Sequence, residues 1–296
     1  MQCPTLHQLP PPPTSLTGWP WTEDTQQLYG TILDGHSLPR ISIITPNLNY
    51  GSYLEKTIRS ILLQGYPNLE YIIIDGGSTD SSLEIIQKYQ AWLTYWESFP
   101  DRGQSNAINK GIAIASGEVF NWINSDDWLA PGALMEVGSI WAKDRPHLLV
   151  GHGYAVEDES NSIRHDWFPK VPKHPLDFLR PGKVVMSQPS TFLSVKSVKE
   201  LGNLNDSLHF LMDWDLYFRL AVAHRDKLKY TSTPAVLSYF RSHDAAKTGG
   251  RYRLEVHQEG RQVLDSLRPK LHLSERIWLA VNSVRKKILD IVKTGA

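Results

Sequence analysis

The chain has 296 residues, 41 % hydrophobic and 21 % charged, an ordinary globular composition that excludes disordered and collagen-like classes. Lys+Arg and Asp+Glu each number 31, so the basic excess of a nucleic-acid binder is missing and no nucleic-acid partner is expected. The single cysteine, Cys3, excludes a disulfide framework and a cysteine-rich zinc site.

Residues 1–38 read as an extended N-terminal arm. Pro10 to Pro13 is a proline run suited to polyproline II, and Gly18 and Pro20 follow it. From 39 to 250 short apolar runs alternate with helical periodicity. Ile41 to Thr45 predicts a buried strand, and Leu54, Ile58, Ile61 and Leu62 mark a helix face. Tyr71 to Ile74 predicts a second strand, closed by Asp75. Ser81 and Glu84 form a capping-box pattern that opens a second helix. Leu93 to Trp96 predicts a third strand. Ile108, Ile112 and Ala115 predict a third helix, ended by Gly117. Val119 to Ile123 predicts a fourth strand, and Pro131 begins a helix carrying Leu134, Val137 and Trp141. This alternation predicts an α/β fold, a mostly parallel sheet flanked by helices, with ligands beyond the carboxyl ends of the strands. Past residue 150 the alternation gives way to strands near 191–193 and 236–240 and a helix near 214–223. Residues 251–296 read as a C-terminal helical extension. No run approaches the roughly 18 apolar residues of a membrane span, and no basic-then-apolar leader is visible, so the expected location is cytoplasmic.

Acids fall at the predicted strand ends. Asp75 follows one strand, and Asp126 and Asp127 follow another. Adjacent carboxylates at the mouth of a sheet repel each other, and a divalent cation removes that cost. Hard oxygen ligands select Mg²⁺ or Mn²⁺, which commonly bridge to substrate phosphates. A solvated acid pair capping the helix at Pro131 is the alternative reading. A dinucleotide-binding sheet also ends its second strand in an acid, but the turn at 45–51 has no G-x-G-x-x-G, and the chain has no phosphate-binding P-loop. Without a glycine cradle, phosphates need another counter-charge.

These residues together resemble the family 2 glycosyltransferases of the GT-A fold, inverting enzymes that use nucleotide-activated sugars. The likeness runs from Ile41 to about Lys247. Ile43 to Asn49 is similar to the first nucleotide-contacting loop, which implies contacts from Thr45, Pro46 and Asn49, with Leu48 where an aromatic is usual. Ile74 to Asp80 is similar to the second motif, whose acid, Asp75 here, accepts from the base edge. Asp101 to Gly111 is similar to the third and implies Asp101, Arg102 and Asn109 near the nucleotide. Asn124 to Asp127 resembles the metal motif, with Asn124 where many relatives have Asp. This implies Asp127 and Asp126 as ligands of Mn²⁺ or Mg²⁺, with Asp126 also at the nucleotide. Met212 to Arg219 resembles the element that carries the catalytic base, and Asp213 occupies that slot. A sugar hydroxyl is a poor nucleophile at neutral pH, so a placed carboxylate must take its proton. Asp213 also suits a helix N-cap, and Asp215 suits an i,i+4 pair with Arg219. Gln188 and Trp214 are implied at the acceptor pocket. Arg241 to Thr248 resembles the family's C-terminal Arg-x-His…Lys segment, which implies His243 as a further metal ligand and Lys247 at the diphosphate; a surface loop is the other reading.

The implied partners are a nucleoside-diphosphate sugar (UDP-, dTDP- or GDP-linked) and a glycan or lipid-linked acceptor, as in cell-envelope polysaccharide synthesis. A catalytically silent sugar-nucleotide or polysaccharide binding module is the alternative, and it has no need of a carboxylate at 213. Along 275–293, Ile277, Val281, Val284, Ile288 and Ile291 form one apolar stripe beside Arg276, Arg285, Lys286, Lys287 and Lys293. Such a helix suits peripheral contact with an anionic membrane, or docking on its own domain.

Overall fold

The computed structural model describes residues 3–27, 32–33, 36–157, 162–180, 182–242 and 253–281. A nine-stranded sheet forms its centre. Strands β1 (Ile41–Asn47), β2 (Leu69–Asp75), β3 (Tyr95–Ser98) and β4 (Val119–Trp122) make a parallel half in the order β3-β2-β1-β4. Helices α1 (Gly51–Leu62), α2 (Ser82–Tyr89) and α3 (Gln104–Ile114) are its crossovers. The other half is mixed and contains β5 (Trp128–Leu129), β6 (His147–Glu157), β7 (Ile163–Trp167), β8 (Thr191–Ser194) and β9 (Lys229–Ser242). β8 runs antiparallel between β4 and β6, β9 runs parallel to β6, β5 closes the edge of β9, and β7 forms a hairpin on β6. Helices α4 (Ala133–Ile140), α5 (Val195–Glu200), α6 (Met212–His224) and α7 (Arg253–Leu267) complete the molecule, with a further helix over 273–281.

Strand periodicity divides the core in two. In β1, Ile44 faces one side of the sheet, while Ile41 and Ile43 face the other. In β2, Ile72 and Ile74 oppose Leu69, Tyr71 and Ile73 in the same way. Both faces are apolar because helices cover both, as a buried parallel sheet requires. One core joins α3, α6 and α7 to the sheet, and the other joins α1, α2 and α4.

The N-terminal arm, expected to lie extended, is packed into the second core through Cys3, Leu9 and Leu38. Arg59, fully buried on α1, explains how a proline-rich segment is held. Its guanidinium donates to the carbonyls of Pro10 (2.8 Å), Pro20 (3.0 Å) and Trp21 (3.1 Å) and to the Tyr89 hydroxyl (3.0 Å). Proline carbonyls lack a ladder partner, so a five-donor fork suits them.

Two helix starts differ from the sequence expectation. Ser81 precedes α2 but makes no side-chain cap. Asp80 does this instead, accepting from Ser82 N (2.9 Å) and, through its other oxygen, from Gly51 N at the start of α1 (2.8 Å). One carboxylate thus serves two helix N-termini. The helix expected at Pro131 begins at Ala133, because Gly132 takes a left-handed conformation (φ 74°) and becomes its N-cap.

Candidate active site

A cavity of about 490 Å³ opens at the carboxyl ends of β1 and β4, where the alternating pattern predicts a ligand. Pro46, Asn47 and Leu48 from the end of β1, Asp101, Gly103 and Gln104 at the start of α3, and Asn124 to Asp126 after β4 line it. Gln188, His209, Phe210 and Asp213 line it too, with Trp167 from β7 and Phe240 from β9. Of the residues implied by the sequence, Pro46, Asp101, Asp126, Gln188 and Asp213 therefore meet on one wall system.

Asp126 and Asp127 take different directions. Asp126 lines the cavity, while Asp127 is fully buried behind it. The Asp127 carboxylate accepts from Arg241 N (3.1 Å) and from Asn124 Nδ2 (3.1 Å). Burial, together with the charge of Asp126, pushes the Asp127 carboxyl well above the usual carboxylate range, against the opposing pull of Arg241 and Asn124. The turn is pinned by Thr57 Oγ1, whose one proton is shared between the carbonyls of Ser125 (2.8 Å) and Asp127 (2.6 Å). Asn124 also accepts from Gln104 Nε2 (2.7 Å), so an amide here links α3 to the acid turn. The Tyr50 hydroxyl sits close enough to Asp126 and Asp127 that burial and both charges raise its pKa.

Asp213 is partly buried in the first turn of α6. Its Oδ1 accepts from Trp214 N at 2.7 Å. Desolvation pushes the carboxyl up to about 6, partly offset by that amide. Asp213 is not the N-cap: Leu211 holds that position. The expected pair of Asp215 with Arg219 is present at 2.7 Å and is buried.

Among the described residues, the other implied ones are held by the chain itself, all but Asp101 outside the cavity lining. Asp75 is fully buried and accepts from Asn47 Nδ2, Gly77 N, Ser78 N, Ser78 Oγ and Ser98 Oγ, so both oxygens are saturated by the chain. Burial raises its pKa, but these hydrogen bonds outweigh burial and leave it below the usual range. Asp101 packs so closely against the next loop that a Cβ on Gly76 would lie 2.9 Å from its Oδ2. Thr45 is buried against the Tyr71 hydroxyl (3.1 Å). Asn49, at φ 56°, ties Ser78 and Thr79 to the β1 loop. Arg102 points outward and pairs with Asp206 at 3.0 Å. Asn109 clamps Leu204 through both its carbonyl and its amide. Trp214 turns from the cavity to pack on Phe178 and Phe218. His243 and Lys247 lie outside the described residues.

Sequence reading missed several wall residues. Trp167 and Phe240 meet edge to face at 5.7 Å, but nothing in an exposed hairpin strand flags its one inward ring. Gln104 lies within the third motif yet is silent without its Asn124 partner. Among the described residues, no three His, Cys, Asp or Glu side chains cluster as a metal cage.

Comparison with known proteins fits this geometry. Residues 42–202 match the family model of Glycosyl transferase family 2. An uncharacterised glycosyltransferase of Rickettsia felis is 26 % identical over 279 residues, covering 87 % of this chain and 45 % of the relative. One from Nostoc is 35 % identical over 111 residues, covering 34 % of this chain and 33 % of the relative. The chain thus spans under half the length of these relatives. S. aureus TarS 1-349 in complex with UDP-GlcNAc superposes with a TM-score of 0.61 at 15 % identity, over 80 % of this chain and 69 % of that one. The mannosyltransferase PcManGT of Pyrobaculum calidifontis, in complex with GDP-Man and Mn²⁺, gives 0.55 at 18 % identity, over 83 % and 67 %. At such identities the structural likeness establishes the GT-A fold. The family match spans more than half of the 296 residues, and the chain belongs to glycosyl transferase family 2.

Proposed function

We propose that this chain is an inverting glycosyltransferase that moves a sugar from a nucleoside-diphosphate donor to the hydroxyl of a glycan or lipid-linked acceptor. One observation carries the reading: a single cavity is lined by Asp101, Asp126 and Asp213 together. The donor lies against the loops after β1 and β4. UDP-GlcNAc and GDP-Man in the structural neighbours support that donor class. The acceptor enters between Gln188, Phe210, Trp167 and Phe240, where aromatic faces suit sugar rings or an apolar aglycone.

The chemistry follows from the groups present. Asp213 takes the acceptor proton as the oxygen attacks the anomeric carbon from the side opposite the nucleotide. The nucleoside diphosphate leaves with the electron pair of the broken glycosyl bond. A carboxyl raised to about 6 is ionised at neutral pH yet basic enough to accept a proton. Holding both substrates in one cavity supplies the orientation.

The residues fit a divalent cation in an open site. Asp126 offers a hard oxygen donor on the cavity wall, and Asp127 behind it carries a charge that burial penalises and a cation would relieve. Such an ion, when bound, supplies positive charge against the developing diphosphate. Asp126 is the ligand proposed to reach it, with Asp127 orienting the turn through Asn124 and Arg241. His243 and Lys247 remain the proposed completing ligand and diphosphate contact.

The experiment is a thermal-shift screen of UDP, GDP and dTDP with and without Mn²⁺, followed by nucleotide release from the matching sugar donors. Stabilisation by one nucleotide, and release that rises with added acceptor, is expected. Binding without any turnover would favour the silent binding module.

A further inference from the structure

Glu259 lies on α7, beyond the matched segment 42–202 and outside every motif. Its carboxylate reaches back about 50 residues to three consecutive backbone amides. Oε1 accepts from His209 N at 2.7 Å, and Oε2 accepts from Phe210 N and Leu211 N, each at 2.9 Å. These amides lead directly into α6. Leu211, the N-cap, has no side chain able to cap, so an external carboxylate does what an Asp or Ser does elsewhere. Hydrogen bonds to an ionised acceptor are the stronger kind.

The consequence concerns Asp213. Its hydrogen bond comes from Trp214 N, in the same helical turn. Among the described residues no hydrogen-bond partner from another element aims it, so its direction is inherited from the placement of the α6 start. That start is held from two sides. On the inner side, Ser105 Oγ donates to Leu208 O (3.2 Å), and Asn109 grips Leu204. On the outer side is Glu259, whose helix is seated by buried Val263 and Leu267 and by Gln262 Nε2 donating to Ser207 Oγ (2.9 Å). His209 and Phe210, the bonded residues, are themselves part of the cavity wall, while Glu259 is not.

We propose that Glu259 is a positioning residue for sugar transfer: it fixes the 209–211 segment so that Asp213, His209 and Phe210 keep their places in the cavity. This rests on the reading of Asp213 as the base. The C-terminal extension is then a working part of the site.

The test uses the full chain with Glu259→Ala, Glu259→Gln and Glu259→Asp, each alone and combined with Asp213→Asn. UDP-GlcNAc or GDP-mannose, whichever the wild type turns over, is the donor probe, and n-octyl glucoside is the acceptor probe. Nucleotide affinity is measured separately by titration. Glu259→Ala and Glu259→Gln should lower acceptor-dependent kcat by about 10- to 100-fold, the scale of an ångström-sized misplacement. Nucleotide dissociation constants should stay within about two-fold, and Glu259→Asp should recover part of kcat. In the Asp213→Asn background, Glu259→Ala should add almost nothing, because one acts through the other. The proposal fails if the Glu259 variants transfer within about two-fold of wild type. It fails equally if their losses multiply with that of Asp213→Asn, or if nucleotide binding falls in step with kcat. Should Glu259→Ala not fold, the near-isosteric Gln variant carries the comparison. Asp213→Asn at the wild-type rate is a separate outcome that removes the base assignment and this proposal together.

Discussion

At the residue scale, the two acids of the 124–127 turn illustrate how neighbours in sequence acquire different work. Asp126 faces the cavity, and Asp127 faces Arg241 N and Asn124. Asp126→Asn should therefore keep the fold and weaken Mn²⁺-dependent nucleotide binding by about 10-fold or more, a loss of roughly 1.4 kcal/mol. Calorimetric titration checks this; unchanged binding in Asp126→Asn would move the cation elsewhere. Asp213 makes a pH prediction. Its carboxyl is raised by burial to about 6, so it accepts a proton only above that value. kcat/KM should fall on the acid side of pH 6, and the limb should follow the free enzyme. The stability sign is opposite to that of a salt-bridged acid. A carboxyl with a raised folded pKa destabilises the fold above pH 6, and this penalty fades as pH drops towards the ordinary range. Asp213→Asn should then melt at or above the wild-type temperature at pH 8. A clearly lower melting temperature would show that the charged form is stabilising instead.

At the scale of elements, the packing of the N-terminal arm departs most from what spacing could announce. The strands from Ile41 to Trp122 and their helices were legible, because two-sided apolar runs and 3.6-residue stripes are local signals. β3 lies two residues later than the apolar run at 93 suggests, since Gln90–Trp92 continues α2 as a tight turn and Leu93 N bonds back to Gln90 O. The clasp of the arm was not legible, because Arg59 reads as one more charge on an amphipathic helix until three carbonyls of the arm are placed around it. Removing it leaves those carbonyls and the Tyr89 hydroxyl short of a buried donor. Arg59→Ala should cost about 3 kcal/mol, several unmet buried groups at 1–3 kcal/mol each. Urea unfolding measures this, and a loss under about 1 kcal/mol would mean that the arm does not depend on the clasp. Among the described residues, no helix is long and apolar enough to cross a membrane. Leu273, Ile277 and Val281 nevertheless stand exposed at four-residue spacing. The rest of the stripe, from Val284 to Ile291, lies outside the described residues. We propose peripheral membrane contact for 275–293, with docking on its own domain as the other reading. The full chain should co-sediment with anionic vesicles and not with neutral ones, and a chain ending at Ser274 should lose this; equal sedimentation of the two chains would refute it.

At the scale of the whole molecule, a parallel half-sheet and a mixed half-sheet with α6 both contribute lining to one cavity. The motifs made part of the cavity lining readable, since Asp101 and Asp126 fall at loop positions fixed by strand ends. The support behind them was not readable. Asp75 and Asn109 carry motif positions yet hold loops from beneath, Thr45 is buried against the neighbouring strand, and Glu259 bonds from a helix with no motif at all. Sequence order says which residues sit at a turn; which way each side chain points is decided by partners far along the chain. The central claim is that one cavity brings an activated sugar to a hydroxyl and that Asp213 removes its proton. The most direct measurement compares wild type and Asp213→Asn in one preparation format, recording nucleotide affinity and acceptor-dependent nucleotide release together. Affinity within about two-fold and release lowered by roughly 10²-fold is the expected result, the usual scale for a lost general base. Transfer by Asp213→Asn within a few-fold of wild type would contradict the claim and turn attention to another carboxylate of the cavity.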